Sequence, residues 1–232
     1  MSGHILILFV SVLVAVSAVL SALGFKGRVE VIGVDLGTTY SVAAVSEKGR
    51  VRVFEDPVRG KLTASTVAFL QDGGVLVGNA AKRHALKDPK NVIYDAKRFI
   101  GRKYDDPTVA EQAKKYAFAV VENTTTHDAA FRVHGRTIAP SEVGAEVVKA
   151  LLKTVNEDLG HENVKRAVIA VPASFGAAQT AATGEAFKAA GLRVARVMPE
   201  PVAAAVAYGL HKKENVHHIL VFDFGGGTLD VS

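Results

Sequence analysis

Two segments far apart in the chain repeat one pattern: Val31-Ile32-Gly33-Val34-Asp35-Leu36-Gly37-Thr38-Thr39 and Ile219-Leu220-Val221-Phe222-Asp223-Phe224-Gly225-Gly226-Gly227-Thr228. Each is an apolar run with an Asp at its end, followed by glycine and threonine. A buried strand fixes a carboxylate at the rim of a sheet, and glycines let a tight turn bring backbone N–H groups against an anion. The hydroxyls of Thr38, Thr39 and Thr228 can add donors. Two such turns facing each other would grip a polyphosphate from both sides, with Asp35 and Asp223 holding a hard cation through water, as magnesium prefers. Either turn alone could merely close a hairpin; the duplication, with Asp at both strand ends, favours an anion site. It is neither a P-loop nor a dinucleotide turn, since no G-x-x-x-x-G-K-[ST] occurs and no G-x-G-x-x-G opens a helix.

The surrounding pattern predicts the elements that must carry these turns. Val29–Asp35, Tyr40–Val45 and Val51–Phe54 read as a three-stranded meander. Val67–Leu70 and Val75–Val77 flank Asp72-Gly73-Gly74 as a hairpin, and Phe118–Val121, Ala130–Val133 and Thr137–Ile138 form another small β patch. These lie in an inserted subdomain of about residues 56–139. From Pro140 the period turns helical, with Val143, Val147, Leu151 and Val155 on one face and Gly160 as terminator. A strand Ala167–Val171, a helix Ala177–Ala190, a strand Leu192–Met198, a helix Pro201–Leu210 and a strand Val216–Phe224 follow. The expected fold is α/β: a mixed sheet, antiparallel strands first and parallel ones after, with helices covering its faces.

Composition narrows the class. With 49% apolar and 22% charged residues the 232-residue chain can bury a core, and with no Cys it has no disulfide, thiolate nucleophile or Cys-ligated metal. The net charge of +5 is spread in ones and twos, such as Lys82-Arg83 and Lys114-Lys115, so no nucleic-acid partner is expected. His211, His217 and His218 lack the spacing of a metal site. Ile5 to Leu23 is an almost unbroken apolar run, and residues 1–25 contain no acid, Lys or Arg. This reads as a signal peptide with a cleavage site at Ala22-Leu23-Gly24, or as a signal anchor, in which case residues 5–23 make the membrane contact. Lys26 and Arg28 after the run oppose translocation. Asn123-Thr124-Thr125 is a candidate glycosylation sequon that suits a secretory compartment.

VIGVDLGTTYS (31–41), NVIYDAKRFIGR (91–102), AVIAVPASF (167–175), EPVAAAVAYGLHK (200–212) and VFDFGGGTLDVS (221–232) stand in this order along the chain. Together they resemble the seventy-kilodalton heat-shock chaperone family, one of the actin-like ATPases with a ribonuclease-H-like core, from about Val29 to the last residue. The signal-like segment, YDAKRFIG and AYGLHK are similar to a microsome-associated member with an ATPase core and no peptide-binding domain. The resemblance implies an ATP-binding and ATP-hydrolysing chaperone-type core in the endoplasmic reticulum lumen, in microsomes or secreted. It implies ATP or ADP, magnesium and potassium as ligands, and J-domain co-chaperones as partners. Gly37, Thr38, Thr39 and Tyr40 match the first phosphate turn, and Gly225, Gly226, Gly227 and Thr228 the second. Lys97, which reads by itself as a surface cation, would reach the γ-phosphate and the attacking water. Glu200 would organise metal and water, with Asp35 and Asp223 binding the metal's water.

The chain also departs from the family. Pro199 stands where Asn precedes Glu-Pro, Ser174 and Gly176-Ala177 replace Tyr and Asn-Asp, and no basic residue lies near Thr180. These positions couple nucleotide state to domain movement in the family. The resemblance places a first lobe at 26–215 and the start of a second at 216–232, so that a chain ending at Ser232 would lack most of the second lobe and the adenosine pocket. An ATPase inactive as this fragment, a truncated lobe serving as an interaction protein, and a sugar or acetate kinase of the same superfold are the competing readings. The DAKRFIG and EPVAAAVAYG segments argue against the kinase.

Overall fold

The computed structural model describes residues 3–22, 29–56 and 60–232. The first helix, α1 (Gly3–Ala22), is one apolar rod. Its side chains from Ile5 to Val19 are exposed. Among the described residues no helix is long and apolar enough to cross a membrane. Of the junction Ala22-Leu23-Gly24, Leu23 and Gly24 lie outside the described residues, as do Lys26 and Arg28.

A central mixed sheet begins with β1 (Val31–Leu36), β2 (Tyr40–Glu47) and β3 (Arg50–Val53), the expected antiparallel meander. A short β4 (Thr63–Ala64) pairs with the start of β2. The chain then builds β5 (Thr66–Phe69) and β6 (Val75–Val77), helix α2 (Asn79–His84) and β7 (Val92–Tyr94), which pairs with the other side of β5. After α3 (Pro107–Ala113), capped by the Asp106 side chain accepting Thr108 N–H at 2.8 Å, a second small sheet forms from β8 (Ala119–Glu122), β9 (Ala129–Val133) and β10 (Arg136–Ile138).

Helix α4 (Pro140–Leu159) starts with Pro in its first turn and with the Glu142 carboxylate accepting Ala139 N–H at 2.8 Å. It ends at Gly160, whose φ of 67° suits glycine. Next come β11 (Arg166–Val171), α5 (Ala177–Ala189), β12 (Arg193–Pro199), α6 (Glu200–Ala207) and the hairpin β13 (Phe222–Phe224) and β14 (Leu229–Val231). The main sheet runs β12-β11-β1-β2-β3. β11 lies parallel to β1 and β12 parallel to β11, so antiparallel strands come first and parallel ones after.

Alternation settles which face is covered. Ile32, Val34 and Leu36 of β1, Ala43 and Val45 of β2, and Ala167, Ile169 and Val171 of β11 are buried. Val143, Val147, Leu151 and Val155 of α4 join them in one core, with Ala186 and Phe187 of α5. The two helices cross closely at Gly144, where an added Cβ would meet Ala186 Cβ at 3.2 Å and a Leu36 methyl at 3.3 Å. Phe99, Phe118 and Phe131 extend this core toward the small sheets, with ring centroids 5.3 to 5.5 Å apart in edge contact. Between these covered residues Gly33 and Asp35 look out of the opposite face.

The expected strand Val216–Phe224 is corrected: only Phe222–Phe224 forms a strand, and it pairs with Leu229–Val231 rather than with the main sheet. A strand needs a partner along its length, and this hairpin offers one to only a few residues. Leu220, Phe222 and Phe224 are exposed.

Candidate active site

At the end of β1 the chain turns through Gly37 into β2. A Cβ on Gly37 would stand 2.1 Å from the Tyr40 carbonyl oxygen, so no larger residue can make this turn. Ser65 clamps it from behind, its hydroxyl donating to Gly37 O at 2.8 Å. The second turn is tied by Gly225 N–H to Thr228 O at 2.9 Å. The two turns face and touch: an added Cβ on Gly226 would meet Thr39 side-chain atoms at 3.0 to 3.1 Å.

Between them opens a cleft of about 490 Å³. Asp35, Gly37, Thr38, Thr39, Tyr40, Lys97, Glu200, Asp223, Gly225, Gly226, Gly227 and Thr228 all line it. The structure thus brings together every residue the sequence singled out for nucleotide and cation chemistry. Asn123, by contrast, sits in the turn between β8 and β9 and does not line this cleft.

Lys97 reaches the cleft from a short 3-10 turn, Ala96–Arg98, preceded by Asp95 in the left-handed region with φ 55°. Asp95 is held there from two sides: its carboxylate accepts Tyr116 Oη–H at 3.1 Å and Arg98 Nε–H at 3.3 Å. Burial first, then the charge of Asp95, raises the Tyr116 phenol above its usual range, so it stays a donor. From this turn Lys97 Nζ donates to Glu200 Oε1 at 2.7 Å. Both side chains are largely covered, at 9% and 18% exposure. Glu200 is delivered by the first residue of α6, directly after the end of β12.

Asp35, Glu200 and Asp223 line the cleft together with Lys97. Burial raises Glu200 above the usual range; Lys97 opposes the shift, and Asp35 and Asp223 add to it. Asp35 opens to the water of the cleft, yet the protein packed about its carboxylate removes part of its hydration and raises it too, Lys97 opposing and Asp223 reinforcing. Such crowding is what a hydrated divalent cation would relieve, and hard oxygen donors are the set it takes. Among the described residues no three His, Cys, Asp or Glu side chains are grouped so as to ligate a metal directly.

Sequence reasoning missed Arg98 and the role of Phe175. The Arg98 guanidinium donates to the Gly227 carbonyl, joining the second turn to the turn that carries Lys97. Phe175 lies 5.9 Å from Lys97 Nζ, its ring walling the cleft beside the ammonium group. Arg98 follows Lys97 in the segment 91–102, but nothing in its type or spacing separates it from a surface cation. The altered positions lie close by: Ser174 lines the cleft, Gly176 caps α5 and Pro199 caps α6.

A family model described as Hsp70 protein matches residues 31–232. Because that span takes in every strand of the sheets and both turns that build the cleft, the chain belongs to the Hsp70 family, whose ATPase domain has this actin-like α/β fold.

Proposed function

We propose that this chain supplies the magnesium-ATP site of a chaperone-type ATPase and takes part in hydrolysis of the terminal phosphate by water. The observation that carries this reading is the convergence of both Gly-Thr turns on one cleft that also holds the Lys97–Glu200 pair. Backbone N–H groups and hydroxyls of Thr38, Thr39 and Thr228 would receive phosphate oxygens from two sides. Lys97 would place positive charge where the transferring phosphoryl group carries negative charge, and Glu200, already hydrogen-bonded to it, would orient water. Magnesium, when bound among Asp35, Glu200 and Asp223, supplies neutralisation of phosphate charge. Catalysis of this kind rests on positioning and electrostatic stabilisation, with no covalent nucleophile. Potassium, a J-domain partner and a location in the endoplasmic reticulum or microsomes accompany this proposal.

Titration calorimetry with ATP in magnesium and in excess chelator tests it. Magnesium-dependent binding, with phosphate release that falls at least tenfold in Lys97→Ala, is the expected result. Unchanged release in Lys97→Ala would overturn it. A second reading, an interaction protein without turnover, is favoured by the exposed Phe222 and Phe224 on the β13–β14 hairpin and by the altered Ser174 and Pro199. Absence of magnesium-ATP binding at millimolar nucleotide would select it.

A further inference from the structure

The turn between β8 and β9 carries chemistry that the nucleotide reading leaves unused. Asn123-Thr124-Thr125 is the sole Asn-x-Ser/Thr triplet in the sequence. The turn is closed at its base by Asn123 N–H to Asp128 O at 2.9 Å and His127 N–H to Asn123 O at 2.8 Å. Lys103 fastens it from outside, its Nζ donating to Thr126 O at 2.8 Å and pairing with Asp128 at 2.7 Å. Inside it, Asn123 Oδ1 accepts the N–H of Thr125 at 3.0 Å and of Thr126 at 3.3 Å.

That arrangement settles the orientation of the amide, since only its oxygen can accept from two backbone donors. The oxygen is engaged, and none of the hydrogen bonds among the described residues involves Asn123 Nδ2 or the Thr125 hydroxyl. Thr124, Thr125 and Thr126 are exposed. The two groups a glycan-transferring enzyme reads in a sequon are therefore free, on a turn whose backbone is already fixed. An independent feature points to the compartment where that enzyme works. Ile5 to Leu23 is an almost unbroken apolar run near the start of the chain, and α1 exposes its side chains from Ile5 to Val19, as the apolar region of a translocation signal does.

We propose that Asn123 is a site of N-linked glycosylation, with an oligosaccharide on a lipid pyrophosphate as donor. Asn123 Nδ2 attacks the anomeric carbon, a C–N bond forms and the sugar's C–O bond to pyrophosphate breaks. The lipid pyrophosphate leaves with the electron pair, and one proton is lost from the amide nitrogen. No residue of 119–128 lines the nucleotide cleft, so the glycan and the cleft are compatible. The inference does not rest on the nucleotide reading.

The test is expression of the whole chain, residues 1–25 included, in a eukaryotic cell, followed by intact mass before and after digestion with an N-glycan amidase. The expected result is loss of one glycan from the parent, no change on digestion of Asn123→Gln or Thr125→Ala, and a retained shift in Thr125→Ser. ATP binding by Asn123→Gln should equal that of the parent. A parent chain whose mass is unchanged by digestion, whether inside or outside microsomes, overturns the proposal. So does a shift that survives Asn123→Gln.

Discussion

Lys97 Nζ and Glu200 Oε1 meet at 2.7 Å across 103 residues of chain, and Lys97 is the cation that opposes the burial of the Glu200 carboxylate. In Lys97→Ala, Glu200 keeps its burial and its carboxylate neighbours but loses its cation. Unfolding in denaturant should show a loss of at least about 1–3 kcal/mol, the range for leaving a covered hydrogen-bonding group without its partner. Phosphate release should fall in the same variant, whereas a surface lysine such as Lys153, 74% exposed, should change neither when replaced by Ala.

Asp35 and Glu200 also set a pH dependence. Their folded values are raised above the ordinary 3.8 and 4.5, so the folded chain binds more protons than the unfolded chain just above those values. Stability contributed by these two groups is therefore present at low pH and lost as pH rises through the raised values. Asp35→Asn removes one of them. The stability difference, variant minus parent, should grow with pH across this window while turnover is abolished. A difference that is flat with pH would refute the account.

The second turn's contact with Thr39 predicts an asymmetry between neighbouring glycines. A Cβ on Gly226 would come within 3.0 Å of Thr39 Cγ2, whereas at Gly225 the nearest atom is 3.7 Å away. Gly226→Ala should push the turns apart and weaken nucleotide binding about tenfold, a ~1.4 kcal/mol effect, while Gly225→Ala leaves affinity within about twofold. Calorimetry on the two variants separates the cases.

Gly101 is a purely structural counterpart. Its φ is +65°, and an added Cβ would lie 2.5 Å from Gln179 Cα, a backbone atom of α5 that cannot swing aside. Gly101→Ala should cost more than about 2 kcal/mol. Gly160→Ala has nearly the same φ, +67°, but open space, and should cost about 1 kcal/mol from backbone strain alone. Thermal unfolding of both variants checks the ranking.

Much of this architecture can be read from periodicity, because α4 and β1 each present a strictly spaced apolar face to a single core. The expected bounds of α5, β11 and β12 lie within one residue of those observed. Three things resist such reading. β7 is only Val92–Tyr94, too short to show a period, and exists because β5 offers it a partner. Ile219 and Leu220 look like strand residues but pair with no strand among the described residues, so the apolar run overstates the strand. Arg98 acquires its place only when Gly227 arrives beside it, a contact made across 129 residues that no local pattern encodes.

The parallel pairing of β1 with β11 gives this fold a timetable. Val31 pairs with Arg166, and some 135 residues must be made between them. At a synthesis rate of about 5–20 residues per second, β1 waits roughly 7 to 27 s on the ribosome before its second neighbour exists. Throughout that interval the meander β1-β2-β3 has one finished edge and one open one, and until α4 is complete at Leu159 its apolar face lacks the helix that covers it. The yield of a nascent chain of this design in cells should depend on how fast α4 and β11 follow.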